Sequence, residues 1–232
     1  MKVAIMQPTY LPWIGYFALM ESVDIFIILD SVQFSKRSWQ QRNQIKTESG
    51  PKWLTVPVIS KGRREQLITD VEIDRSGKFP NNHINMIRQS YRSAPYFEKY
   101  SEELFKLLRE NTKPLSILTI QLILLFRKIL NINTEIRYSS EFTTTGSKDE
   151  LLAELCHHVG ATEYISPPGS RGYLNASNFF IERDITVNYS KFNHPQYKQL
   201  YGDFLPFMSV VDLLFNYGID SLPMIKKMIS NE

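Results

Sequence analysis

The chain has 232 residues, of which 43% are hydrophobic and 22% charged, with a formal net charge of +3. That is an ordinary globular composition with core enough to need no covalent staples, and the charge is too small to mark a nucleic-acid patch. A single cysteine, Cys156, excludes an internal disulfide framework and fits a reducing compartment.

Lys2–Met6 reads as a short buried strand, too short an apolar run for a signal peptide. It stops at Gln7-Pro8-Thr9-Tyr10-Leu11-Pro12-Trp13-Ile14-Gly15-Tyr16. Two prolines forbid both a continuing central strand and an immediate helix. The segment is therefore a stiff loop carrying one amide, Gln7, and three large aromatics, Tyr10, Trp13 and Tyr16. A helical pattern starts near Trp13. Gly15 would let that helix start approach a ligand closely, and its N-terminus would favour a phosphate. Core packing is the competing role of the three aromatics. Asp24–Asp30 reads as a second buried strand. Asp30, just past its apolar part, suits proton transfer or holding a sugar hydroxyl or a metal, and equally an Asx-turn with Ser31 and Val32. The segment that follows carries Gln33, Lys36, Arg37, Gln40, Arg42 and Asn43. Such donors suit phosphate oxygens, or else form a solvated basic loop.

Residues 44–46 and 53–58 flank a Gly50-Pro51 turn and read as a hairpin. A cationic loop at 60–65 and a further strand at 67–73 come next. Helical spacing then gives three helices, from Asn82, from Tyr96 to Leu108, and from Leu115 to Leu130. The third is apolar nearly all round and belongs in the core. Ser116, Thr119, Gln121, Arg127 and Lys128 interrupt it, so it is no membrane span. With no membrane insertion, a cytoplasmic protein is expected.

Strand and helix alternate again from about residue 132. Thr134–Tyr138 is a strand. Ser147 and Glu150 make a capping box for the next helix, which Gly160 ends. Glu163–Ser166 is a strand, and the loop after it carries Gly169, Ser170 and Tyr173, a weak anion cradle. After a strand at Ile185–Tyr189 come His194 and Tyr197; His194 fits a general acid or base, or a structural hydrogen-bonding role. Helices at Val210–Asn216 and Met224–Ile229 close the chain. His157 and His158 cannot share one site, and no spacing matches a zinc motif, so no metal is expected. Cys156 reads as core.

These elements predict an α/β fold: a mostly parallel, Rossmann-like sheet with helices on both faces. A hairpin and helical block, residues 44–131, is inserted into a single domain of residues 1–232. Ligand sites in such sheets lie past the carboxyl ends of the strands. Gln7–Tyr16, Asp30–Asn43, Gly169–Tyr173 and His194–Tyr197 all follow predicted strands, so they are expected to converge there.

Gln7–Tyr16, Asp30-Ser31-Val32-Gln33-Phe34, Arg37–Asn43 and the stretch from Phe204-Leu205-Pro206 to Asn216-Tyr217-Gly218 resemble the WbqC-like family across essentially the whole chain. Relatives usually read Ser-Gly-Pro where this chain has Ser166-Pro167-Pro168, which stiffens that loop. The family is known chiefly from bacterial gene clusters for O-antigen and other surface polysaccharides. The resemblance implies a part in making or decorating a sugar, and brings no established reaction with it. The first loop and its Gly15-Tyr16-Phe17 helix start are also similar to nucleotidyltransferases of the HIGH type. Trp13 and Tyr16 stand where those use histidines, so direct adenylyl transfer is not expected. The expectation is group transfer, acyl or aminoacyl, onto a nucleotide-linked sugar or sugar precursor. Gln7, Tyr10, Trp13 and Tyr16 would hold base or sugar, Lys36, Arg37 and Arg42 phosphates, and Asp30 or His194 the proton. The alternative is a non-catalytic sugar-nucleotide-binding or scaffold protein. The cofactor stays open.

Overall fold

The computed structural model of the chain describes residues 1–63, 65–110, 112–174 and 177–230; Arg64 of the cationic loop lies outside them. β1 (Lys2–Met6) leads into α1 (Ile14–Glu21) and β2 (Ile25–Ile28). A hairpin, β3 (Arg42–Thr47) and β4 (Gly50–Thr55), follows, then α2 (Asn81–Tyr91), α3 (Phe97–Arg109) and α4 (Leu115–Ile129). The alternation resumes with β5 (Glu135–Tyr138), α5 (Asp149–His158), β6 (Glu163–Ser166), the single turn α6 (Arg171–Leu174) and β7 (Thr186–Tyr189). The chain ends in β8 (Lys191–Phe192), α7 (Val210–Tyr217), α8 (Ser221–Lys226) and β9 (Ile229–Ser230), with β8 and β9 antiparallel.

Five strands form one sheet in the order β5-β2-β1-β6-β7, and every neighbouring pair is parallel. The chain builds outward from β1 to β2 and β5, then returns past β1 to add β6 and β7. This is the doubly wound order. Alternate side chains enter two cores. Ala4, Phe26 and Ile28 pack with α1, the inserted helices and α7. Val3, Ile5, Ile25 and Ile27 pack with Leu151, Leu152, Leu155 and Cys156 of α5. Both faces are covered, as near-continuous apolar parallel strands require.

α1 is buried from Ile14 to Met20, between the sheet and the elements outside it. α4 buries Leu115, Leu118, Leu122, Ile123 and Phe126, while Ile117 is 43% exposed. The three inserted helices lie where the hydrophobic period puts them, and the hairpin forms with shifted bounds: Gly50 and Pro51, expected in the turn, pair with Thr47 and Lys46.

Three local expectations are corrected. Residues 67–73 hold a 3-10 turn, Ile68–Asp70, and pair through isolated bridges, Gln33 with Leu67, Glu72 with Pro114 and Val58 with Ile73. The last helix is Ser221–Lys226, and residues 229–230 belong to a strand instead. The Ser147 side chain makes no cap bond: Lys148 is the N-cap, and the Ser147 carbonyl accepts from the Glu150 and Leu151 amides. Gly160 does end α5, with a φ of +72° that glycine adopts without strain.

Burial along α4 sets an expected contrast. Leu122, fully buried, should lose about 2–5 kcal/mol on truncation to Ala. Ile117→Ala should change stability by less than about 1 kcal/mol. Denaturant unfolding of both variants measures the difference; equal losses would contradict this packing.

Candidate functional site

β1 pairs with β2 over four residues, Val3 to Met6, but with β6 over only two, Lys2 and Val3. The β1 and β6 ends therefore splay apart. A cavity of about 340 Å³ opens between them, lined by Gln7 and Thr9 after β1, Ser38, Trp39 and Gln40 after β2, and Ser166, Pro167, Gly169 and Ser170 at the end of β6. This is the point where strand order reverses, the usual ligand crevice of such sheets. A second cavity of about 760 Å³ shares Gln7, Leu29 and Leu152 with it and continues over β2 to Ser31, Gln33 and the α5 start at Gly146–Asp149.

The hydrogen bonds along one wall have a direction. The Ser35 amide donates to Gln40 Oε1 at 2.9 Å, which fixes the Gln40 amide. Gln40 Nε2 then donates to Gln7 Oε1 at 2.7 Å. Gln7 consequently presents its Nε2 donors at the cleft. On the other wall the Ser166 and Ser170 hydroxyls lie 2.6 Å apart, and Ser170 Oγ also donates to the Pro167 carbonyl at 2.7 Å. Those two hydroxyl protons, and that of Ser38 on the Ser35 carbonyl, are spent within the chain, so the cleft offers acceptor oxygens the Gln7 amide beside the Thr9 hydroxyl.

Of the residues singled out in the sequence, Gln7, Gly169 and Ser170 meet in the first cavity, and Gln33 joins the second. The segment of Gly169 and Ser170 is not an open cradle: it is a 3-10 turn running into α6. Tyr173 belongs to α6 by its backbone, and its side chain lies outside the described part. Tyr10 and Tyr16 are core residues, with rings fully or almost fully buried. The Tyr10 hydroxyl meets His83 Nδ1 at 2.8 Å, and Tyr16 packs edge-on against Phe17 and Phe26. Burial pushes both phenols up. Trp13 joins an aromatic cluster with Phe192, His194 and Phe207. A Cβ on Gly15 would collide with the Trp13 ring, so this glycine admits an indole and not a ligand. The start of α1 is thereby closed to a phosphate.

Lys36 and Arg37 are exposed and line neither cavity. Arg42 stacks on Trp53, 4.4 Å from its ring centre, and does not face Tyr10 or Trp13. Asn43 is buried; its Nδ2 donates to the Leu11 carbonyl at 2.6 Å and holds that residue at a φ of +46°. Asp30 accepts from Ser139 Oγ at 2.9 Å, the Ser140 amide at 3.0 Å and Ser140 Oγ at 2.8 Å, tying the end of β2 to the turn after β5. His194 Nε2 accepts from the Phe207 amide at 3.1 Å, so Nδ1 carries the proton and donates to the Pro195 carbonyl at 2.9 Å. Burial lowers its pKa. Tyr197 stacks on His194 and is pushed up by burial and by the Asp212 carboxylate. Neither His194 nor Tyr197 lines the cleft. Cys156 is core, and burial raises its thiol.

Gln40, named among the donors after β2, lines the first cavity, whereas Thr9, Ser38, Trp39, Ser166, Ser147, Lys148 and Asp149 are cleft residues that the sequence did not single out as ligands. Trp39 sat inside a motif from which the charges drew attention. Ser166 is the last residue of a strand, which the strand-end rule could have flagged. Among the described residues no cluster of metal-ligating side chains occurs, and no helix is long and apolar enough to cross a membrane.

A doubly wound parallel sheet with a cleft at its reversal point defines a Rossmann-like α/β protein. The chain belongs to the WbqC-like protein family, whose profile matches residues 7–223. It is also similar to a Mycobacterium tuberculosis (strain ATCC 25618 / H37Rv) chain described as "Uncharacterized protein Rv1507c", 39% identical over 222 residues that cover 95% of each chain. No solved structure matches significantly.

The first loop is braced by two buried contacts with measurable consequences. Burial lowers the His83 pKa from 6.5 to about 4, against a smaller upward effect of a hydrogen bond to the Thr55 backbone. The unfolded chain therefore takes this proton first as pH falls. The stability from a neutral His83 is full above pH 6.5 and is lost as pH drops toward 4. The loss amounts to about 3 kcal/mol. Urea unfolding across that range should show it, and His83→Gln should remove that component of the pH dependence. Asn43→Ala leaves the Leu11 carbonyl without its donor and should cost about 1–3 kcal/mol in the same assay.

Proposed function

We propose that the chain binds a nucleotide-linked sugar in the switch-point cleft and transfers a group, acyl or aminoacyl, onto it in cytoplasmic synthesis of bacterial surface polysaccharide. The observation that carries the binding step is the relay from Ser35 through Gln40 to Gln7, which leaves the Gln7 amide donors for the cleft. Phosphate, ribose and sugar oxygens are the acceptors such donors fit. The second cavity extends to the start of α5, where a helix N-terminus and Lys148 favour the negative charge of a pyrophosphate. Asp149, lining the same cavity, offers a carboxylate for proton transfer. Membership of the WbqC-like family supports the polysaccharide setting through the gene clusters in which that family is chiefly known.

One observation favours a second reading. Asp30 and His194 have their polar atoms engaged by the chain itself. In that reading the protein holds the sugar nucleotide without turning it over.

Thermal-shift and calorimetric titration with UDP-, GDP- and dTDP-sugars tests binding. Gln7→Ala should weaken the bound compound about 3–10-fold, the worth of a neutral hydrogen bond. No stabilisation by any of them would overturn the proposal. Incubation of the bound sugar nucleotide with acyl-thioester and aminoacyl donors, read by mass spectrometry, separates the readings: a mass gain supports transfer, and binding without one supports the carrier.

A further inference from the structure

Two of the chain's three tryptophans stand together at the rim of the cleft. Trp39 is 49% exposed and Trp53 42% exposed, with ring centres 5.5 Å apart and planes tilted by 47°. The Arg42 guanidinium lies over the Trp53 ring. It makes no salt bridge with any described carboxylate. Trp39 lines the first cavity; Trp53 stands beyond it on β4.

This pair is not left over from core packing. The Trp39 carbonyl accepts from the Tyr10 amide at 3.0 Å, which ties its backbone to the first loop. Trp53 is held by hairpin pairing opposite Gln44. Both rings are thus presented on fixed backbone, with large apolar faces in water next to the first cavity. Exposed aromatic surface beside polar groups marks a binding patch.

We propose that Trp39, Trp53 and Arg42 form a saccharide platform, on which a pyranose ring stacks outside the nucleotide cleft. The shape argues for a sugar over a nucleobase. Two planes tilted against each other make an open corner, whereas a flat base needs one face or a parallel slot. A pyranose presents weakly positive C–H groups to the negative aromatic faces, and its equatorial hydroxyls point outward to the Arg42 N–H groups. The platform adjoins the cavity wall formed by Ser38 and Gln40, so a sugar there continues from whatever occupies the cleft. As the acceptor or sugar end of the same site, it rests on the reading that the cleft holds a nucleotide.

Intrinsic tryptophan fluorescence of the full chain tests it. Cellobiose and N,N′-diacetylchitobiose are titrated in the millimolar range, with UDP, GDP and dTDP titrated in parallel by calorimetry. A saturable fluorescence change is expected with a saccharide. Trp53→Ala should weaken it about tenfold, Trp53→Tyr should retain most of it, and neither should alter nucleoside-diphosphate affinity. Circular dichroism confirms that each variant is folded. No saturable change in the parent chain, or the same affinity in Trp53→Ala, overturns the platform even if nucleotides bind. Weakened nucleoside-diphosphate binding in Trp53→Ala makes the pair a base stack and also overturns it. Trp53-dependent saccharide binding without nucleotide binding keeps the platform and removes the nucleotide reading of the cleft.

Discussion

The architecture depends on one strand having neighbours whose connections leave in opposite directions. β1 lies at the middle of the sheet, and the chain departs from it toward β2 and later from β6 toward β7. The first cavity opens at the seam between β1 and β6 at their carboxyl ends. The register shows this directly, with two paired positions on the β6 side and four on the β2 side. Backbone and side-chain polar groups past the last pairs face a gap instead of a partner strand. Such a seam either fills with side chains or binds something. Here amides and hydroxyls share its lining with Ile5, Met6, Leu29, Leu152 and Tyr164, and it stays open.

The insertion between β2 and β5 holds the first loop in shape. Asn43 holds the Leu11 carbonyl, Gln40 the Gln7 amide, and His83 the Tyr10 hydroxyl. From the C-terminal part, the Val210 amide donates to the Pro12 carbonyl at 2.8 Å. The loop passes through a left-handed conformation at Leu11, which a bulky residue adopts only when its surroundings over-determine it. Long-range contacts supply that constraint. They also explain why α1 is buried nearly all round and why its N-terminus offers nothing to an anion.

Charge is distributed by the same logic. Buried ionic groups need partners. Asp30 has three donors from the turn after β5 and joins two strand ends. Lys46, almost fully buried, donates to Gln199 Oε1 at 3.2 Å and to the Asp203 carbonyl at 2.5 Å. Burial raises the pKa of Asp212 against the opposing effect of the hydrogen bond from Tyr91. These groups knit the hairpin, α2 and α7 together. Along the cleft, Lys148 and Asp149 are the charged side chains, beside uncharged amides and hydroxyls.

The sequence by itself determined the elements whose hydrophobic period is long or unbroken: β1, β2, the three inserted helices, α5 and the resumption of strand and helix after residue 132. Periodicity reports which face is apolar, and that is enough to define a parallel sheet covered on both sides. It also pointed to the loops after strand ends, where both cavities open, because strand direction alone puts those loops on one edge. Which side chains turn into the cleft was not legible. Gln7 and Tyr10 stand three positions apart in one loop, yet one lines the cavity and the other is core, since His83, 73 residues further on, claims the phenol. Asp30 looked poised for chemistry until Ser139 and Ser140, more than a hundred positions away, closed around it. Arg42 found Trp53 across the hairpin instead of the first loop. Each outcome hangs on a contact between residues far apart in the chain, and local pattern carries no record of such partners. Only the tertiary structure decided them.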